Sequence, residues 1–405
     1  MPDLFATYYF HPRADTTPRE AAEALAEEQT TGTWTDITTR TESVRRLDGV
    51  VESLEPLGTG HLARFRFPAE LFEPGNIAQY LSVVAGNLFG LGRLDSVRLV
   101  DIEVPPALAE PFYGPKFGME GVRRLLGTTD RPHIGTIIKP KVGLSPSETA
   151  KVAYEAAIGG VDLIKDDETL TDQAFCPLAE RVAAVMSRLD EARSDTGRTV
   201  LFAVNISTRA DRILDRAEVA LENGANMLMI DVLTSGFAAI EVLAGDPSIN
   251  VPLHIHRTMH GALTRNPDHG IAMRPIARLV RLAGGDQLHT GTASGKMGHV
   301  PVDEIRGDNE ALRGPWHGIR TVFPVSSGGL HPGKVAAELG ALGTDMVLQA
   351  GGGIHGHPGG TAAGARAMRQ AADAFIEGVS AEEYARDHPE LAQALLKWGS
   401  SPARS

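Results

Sequence analysis

The sequence predicts an α/β protein: an eight-stranded β/α (TIM-type) barrel preceded by a small α+β domain. Three observations predict it. Eight short apolar segments recur from residue 133 onward. Stretches with helical periodicity separate them, and glycines close several of those helices just before the next strand. Strand–helix alternation over ~250 residues with glycine C-caps is the pattern of a β/α barrel. An open doubly wound sheet is the competing reading.

Residues 1–125 are read as the α+β domain, because strand-like pieces (Leu4 to Phe10, His61 to Phe67, Ser96 to Val104) alternate with helical ones (Arg19 to Glu28, Ile77 to Phe89). GPKFGMEGVRRLLG, residues 114–127, is a glycine-marked connector. The barrel domain is placed at 126–405. Its strands are expected at 134–141, 161–167, 201–206, 227–232, 252–257, 287–292, 321–327 and 345–351. SETAKVAYEAA, LAERVAAVMSRLDEA and DRILDRAEVALENG carry the helical period between them, and Gly159-Gly160, Gly224, Gly284-Gly285 and Gly343 supply the caps. The tail after about residue 378 reads as terminal helices.

Composition narrows the function. The 405 residues are 42% hydrophobic and 22% charged, as in a globular enzyme, with a formal net charge of −12. That balance argues against nucleic acid or an anionic membrane as partner. A phosphorylated small molecule is still accommodated, because a few amides and cations suffice for one phosphate. One cysteine, Cys176, precludes an intrachain disulfide and fits a reducing compartment. The N-terminus lacks a secretory pattern and no run of about 18 apolar residues occurs, so a cytoplasmic protein is expected.

Barrel enzymes place their chemistry at the C-terminal ends of the strands. Here those ends carry Lys139 and Lys141, then Lys165, Asp167 and Glu168, then Asn205, Asp231, His256 with Arg257, His289, Ser326 with Ser327, and Gly351 to Gly353. Strand period two puts Lys139 with Lys141, and Lys165 with Asp167, on common faces. Two carboxylates in a lysine-rich mouth suit a hard divalent cation such as Mg²⁺. On spacing alone, Lys165 neutralising Asp167 is an equal reading. The runs SSGGLHPG (326–333), with Gly328 and Gly329, and QAGGGIHGHPGG (349–360), with Gly352 and Gly353, follow the last two strands, where this fold cradles phosphate. Arg257, His289 and Ser327 offer a second anion site. His254 and His256 have a spacing also met in zinc sites, but no third soft ligand lies nearby.

GTIIKPKVGLS, GGVDLIKDDE, LHIHRTMHGA, HTGTASGKM, SSGGLHPG and LQAGGGIHGHP occur in an order that resembles the large subunit of ribulose-bisphosphate carboxylase (RuBisCO) and its RuBisCO-like relatives. TTGTWT (30–35) and AGNLFG (85–90) match that family's N-terminal motifs. The resemblance implies that CO₂ converts Lys165 to a carbamate, which binds Mg²⁺ with Asp167 and Glu168. Lys139 becomes the enolising base with Lys141 beside it, His256 a further acid/base group, and Lys296 the contact to an incoming carboxyl group. One phosphate falls to Arg257, His289 and Ser327; the other falls to Thr33, Trp34, Gly329, Gly352 and Gly353. Glu28, Thr33, Trp34 and Asn87 would arrive from a partner subunit, implying a homodimer or larger homo-oligomer.

Some positions depart from the carboxylase pattern. Ile137 stands where threonine is usual, Gly298 replaces the loop glutamate, and Ala293-Ser294 replaces valines. The chain is also short, and GPKFGMEGVRRLLG and LLKWG have the style of the methionine-salvage branch. That branch, however, has lysine where this chain has Asn87 and lacks HIHR and HTGT. The expectation is therefore a RuBisCO-like, Mg-dependent carboxy-lyase that decarboxylates a 3-oxo sugar acid phosphate of the 3-oxo-isoapionate 4-phosphate type. The alternatives are ribulose-1,5-bisphosphate carboxylation, an enolase or isomerase acting on a methylthio-sugar phosphate, and a non-catalytic sugar-phosphate binding protein.

Overall fold

A computed structural model describes residues 2–35, 37–295 and 300–400. The chain forms two compact units. The first comprises Met1–Gly114 with Met259–Ala283 and Trp316–Ile319; the second comprises Pro115–Thr258, Gly284–Pro315 and Arg320–Ser405. In chain order the described strands begin with β1 (Leu4–Pro12), β2 (Val50–Leu57), β3 (Gly60–Phe67) and β4 (Leu94–Glu103). Next come β5 (His133–Ile137), β6 (Leu163–Lys165), β7 (Leu201–Asn205), β8 (Met227–Asp231) and β9 (Leu253–His256). The two-residue β10 (Gly270–Ile271) precedes β11 (Gln287–His289), β12 (Phe323–Ser327) and β13 (Val347–Gln349).

The first unit is a five-stranded sheet in the order β10-β4-β1-β3-β2. Alternate burial of Leu4, Ala6, Tyr8 and Phe10 along β1 gives the sheet one covered face. The helix Pro18–Glu28 buries Ala21, Ala22, Leu25 and Ala26, and a Thr17/Glu20 capping box starts it.

In the second unit the eight remaining strands close into a parallel barrel, β11-β12-β13-β5-β6-β7-β8-β9. Its core is Leu163, Leu201, Ala203, Met227, Met229, Phe323, Val325 and Val347, joined by Met119 and Val122 from the helix Gly118–Leu126. That helix, expected only as a connector, sits at the strand beginnings: Phe117 and Gly118 donate their amides to Asp286 Oδ1 at 2.9 and 2.7 Å. The helix after β5, Pro146–Gly159, opens on a Ser145/Glu148 capping box and ends at Gly160 in the left-handed region. Among the described residues no helix is long and apolar enough to cross a membrane.

Candidate active site

Strand periodicity builds the site out of the core. Two residues beyond the inward-facing Leu163, Ala203, Met229, Val325 and Val347 come Lys165, Asn205, Asp231, Ser327 and Gln349. These residues therefore share the interior face, one layer closer to the strands' C-terminal ends. Pairing adds His256 opposite Asp231 and His289 opposite Val325. Lys165, His256, His289, Ser327 and Gln349 of this layer line a cavity of about 500 Å³.

Lys165 is 1% exposed. Its ammonium donates to the Asp166 carbonyl at 2.8 Å and lies 3.7 Å from Glu168 Oε2. Burial lowers its pKa, against the pull of Glu168 and Asp167. Asp167 is held from two sides. Oδ2 accepts from Lys139 Nζ at 2.9 Å, and Oδ1 accepts from the Thr169 hydroxyl and amide at 2.9 and 3.2 Å. Asn205 Nδ2 donates to the carbonyls of Asp167 and Glu168, fixing the turn that presents both carboxylates. The strand stops at Lys165, so this turn, and not the strand period used above, aims Asp167 into the cavity. Likewise β5 ends at Ile137. Lys139 lies in the following loop and reaches the cavity, whereas Lys141 is exposed and does not line it. Asp166 faces away: its Oδ2 accepts from Arg181 Nε and Nη2 at 3.2 and 3.1 Å and from the Asn205 amide at 3.0 Å.

His256 Nδ1 donates to Asp231 Oδ1 at 2.7 Å, leaving Nε2 as a lone pair 3.7 Å from Glu168 Oε2. Burial, with Lys165 beside it, pushes the His256 pKa down to about 3. A neutral imidazole can act as a base. His254 bonds Gln287 through Nδ1 and His289 through Nε2, so both its nitrogens are occupied and the zinc spacing has no use here. His289 Nδ1 meets Ser327 Oγ at 2.7 Å.

Two glycine loops form the opposite wall. Gly328 and Gly329 adopt φ of +121° and +84°, a turn that other residues enter only with strain. A Cβ on Gly353 would lie 2.2 Å from the Leu330 carbonyl, so close approach of the two loops requires glycine there. Gly352 and Gly353 line the cavity beside them. Arg257 does not line the cavity; burial pulls its pKa down to about 10, and Asp308 opposes that.

The remaining expected residues lie elsewhere. Glu28, Thr33 and Trp34 line a cavity of about 940 Å³ within the first unit, with Arg40, Arg45 and Arg93. Asn87 and Glu28 line another there. Lys296 and Gly298 lie outside the described residues. Several lining residues escaped the sequence reading: Gln349, Leu330, His331 and Trp398. Gln349 was findable, since it follows the inward Val347 by two; Trp398 comes from the distant helix Pro389–Trp398, its ring tilted against that of His331 with centroids 5.6 Å apart, which no local pattern announces.

Comparison with known proteins agrees with this geometry. The profile of the ribulose bisphosphate carboxylase large chain N-terminal domain matches residues 1–108, and that of the catalytic domain matches residues 118–398. The chain belongs to the ribulose bisphosphate carboxylase large-chain family. The ribulose bisphosphate carboxylase of Pyrococcus furiosus is 42% identical over 398 residues, spanning 98% of this chain and 94% of that one. The Archaeoglobus fulgidus enzyme of the same name is 41% identical over 418 residues, spanning 98% and 94%. Among solved structures, octameric Rubisco from Pyrococcus horikoshii superposes with a TM-score of 0.94 at 42% identity, covering 99% of this chain and 95% of that chain. A dimeric archaeal Rubisco from Hyperthermus butylicus gives 0.91 at 37%, covering 99% and 96%.

These matches overturn the expectation of a decarboxylase for a 3-oxo sugar acid phosphate. Relatives bearing the carboxylase name share about two-fifths of their residues with this chain from end to end. The argument from shortness also falls, because the chain spans 94% of the P. furiosus enzyme. Enzymes of this family use Mg²⁺ and a carbamylated lysine.

Proposed function

We propose that the protein is a ribulose-1,5-bisphosphate carboxylase that works as a homo-oligomer. The observation that carries this reading is the buried Lys165 ammonium beside Glu168 and Asp167, in a chain that matches archaeal carboxylases over almost its whole length. Among the described residues no three His, Cys, Asp or Glu side chains are grouped to hold a metal. The family's carbamylated lysine, carried over to Lys165, would add a third oxygen ligand to Asp167 and Glu168. The lowered pKa of Lys165 eases loss of one proton from the ammonium; the neutral amine would attack CO₂, the N–C bond would form and a second proton would leave, so the side chain would pass from +1 through neutral to −1. With Asp167 and Glu168, that carbamate makes an all-oxygen donor set suited to Mg²⁺. When bound, Mg²⁺ polarises the substrate carbonyl and the hydroxyl oxygen next to it.

The chain's own groups complete the chemistry. Lys139 is ion-paired with Asp167 here, and after releasing a proton of its own it would take the proton that converts the sugar ketone to its enediolate. His256, oriented by Asp231, serves as a second acid/base group. Gly329, Gly352 and Gly353 line the wall where backbone amides would cradle a phosphate. Trp34 is 89% exposed in the first unit, which suits a side chain completed by a partner subunit. Incubation with ribulose 1,5-bisphosphate, Mg²⁺ and labelled CO₂ should give acid-stable label, abolished in Lys165→Ala. Proton exchange at the sugar without fixed label would overturn carboxylation.

A further inference from the structure

Four side chains, three of them buried and the last half-buried, run from the barrel core to the cavity as a single hydrogen-bonded line. Gln287 Oε1 meets His254 Nδ1 at 2.7 Å, His254 Nε2 meets His289 Nε2 at 2.8 Å, and His289 Nδ1 meets Ser327 Oγ at 2.7 Å. Gln287, His254 and His289 are each 2% exposed or less. Hydrogen-bond chemistry fixes the direction of the line. A carbonyl oxygen only accepts, so His254 carries its proton on Nδ1. In a neutral ring Nε2 is then an acceptor, so His289 donates from Nε2. His289 Nδ1 is left as an acceptor, and the one proton available to it belongs to the Ser327 hydroxyl. Burial keeps both rings neutral, taking the His254 pKa down to about 3 and that of His289 well below its ordinary value.

We propose that Gln287 is a positioning residue: through His254 it sets the tautomer of His289 and makes Ser327 present lone pairs, not a proton, to the cavity. Ser327 then receives a hydroxyl group of the bound sugar, while phosphate falls to the glycine loops that line the same cavity. A dianionic phosphate oxygen needs a donor, and this hydroxyl's proton is already committed. The inference rests on the sugar-phosphate reading for the identity of the ligand, but not for the tautomers.

The test has one arm for each part. Long-range ¹H–¹⁵N spectra of the full-length protein labelled in histidine, without substrate, should show His254 protonated on Nδ1 and His289 on Nε2. A His289 proton on Nδ1 overturns the proposal. Gln287→Leu removes the terminal acceptor and should turn both rings into tautomer mixtures, whereas Gln287→Glu keeps an acceptor and the native pattern. In the kinetic arm, Gln287→Leu should raise KM for ribulose 1,5-bisphosphate about fivefold to tenfold, with kcat changed by less than about twofold. Gln287→Glu should recover most of that KM. An unchanged spectrum and KM in Gln287→Leu would sink the assignment even if the fold is intact. Expected tautomers in a protein that does not turn over ribulose bisphosphate would instead fault the carboxylase reading alone.

Discussion

The two ends of the barrel treat buried charge in opposite ways. At the strand beginnings, Asp162 accepts from Arg131 Nη2 and Nη1 at 2.7 and 2.8 Å, from the Ile134 amide at 2.8 Å, and from Arg369. Burial alone would raise its pKa, yet these partners hold it well below the usual carboxylate range. At the strand ends, Lys165 is as deeply buried, but it has one carbonyl at 2.8 Å, a thioether sulfur at 3.6 Å, and its nearest carboxylate oxygen at 3.7 Å. A satisfied buried ion pair resists perturbation. A poorly satisfied one is poised to change its charge state. The first end is built to hold the fold and the second to react.

Removing charge should separate the two ends. Lys165→Met takes away the group that becomes a metal ligand, and carboxylation should fall by at least about 1,000-fold. The urea midpoint of the same variant should not fall, because a desolvated, weakly paired ammonium is replaced by an apolar chain of similar length. A marked loss of stability would mean that Lys165 is a structural ion pair after all. Asp162→Asn should do the reverse, lowering unfolding free energy by about 3 kcal/mol by stranding Arg131 and Arg369. Its turnover at low temperature should stay close to that of the parent, and a selective loss of turnover would break the division.

The sequence exposed most of this contrast, and the reasons are physical. Barrel strands are buried on both faces, so 201–206 and 227–232 stand out as apolar runs, and the polar residues ending them mark the reactive rim. By contrast β2 (Val50–Leu57) was missed. It pairs with β3 at the sheet edge, its residues are exposed or half-buried, and VVESLEPL shows no alternation. The aim of Asp167 was legible as a residue and not as geometry, since a loop hydrogen bond from Asn205 turns it inward. The line Gln287–His254–His289 was hidden for a related reason. Spacing within one strand pairs His254 with His256, whereas the bonds that matter cross between neighbouring strands.

Acid should also separate two buried carboxylates of the first end. Asp286, beside the strand beginnings, is pushed up to about 6 by burial despite three backbone amides. Its folded pKa exceeds the unfolded value near 3.9, so between the two the native state binds more protons. Stability should therefore fall as pH rises through that window, by about 3 kcal/mol, and level off above it. Asp162 works with the opposite sign: its depressed pKa gives stability that is present above the unfolded value and lost only in stronger acid. Urea titrations from about pH 4 to about pH 7 should show the decline, and Asp286→Asn should flatten it. A slope unchanged in that variant would move the titrating group elsewhere.

The smallest effect tests how thinly the reactive end is supported. Among the described residues Asp167 Oδ1 is held by Thr169, through the hydroxyl at 2.9 Å and the amide at 3.2 Å. Thr169→Val removes the hydroxyl bond, keeps the backbone bond and preserves shape. One hydrogen bond to a carboxylate lost in this way is about 1 kcal/mol. The Mg²⁺ concentration for half-maximal activity should then rise about fivefold, with kcat at saturating Mg²⁺ and the urea midpoint both unmoved. Were the midpoint to drop instead while the Mg²⁺ requirement stayed put, Thr169 would belong with the stabilising charges of the other end, and the division of labour along the barrel axis would be less sharp than the distances suggest.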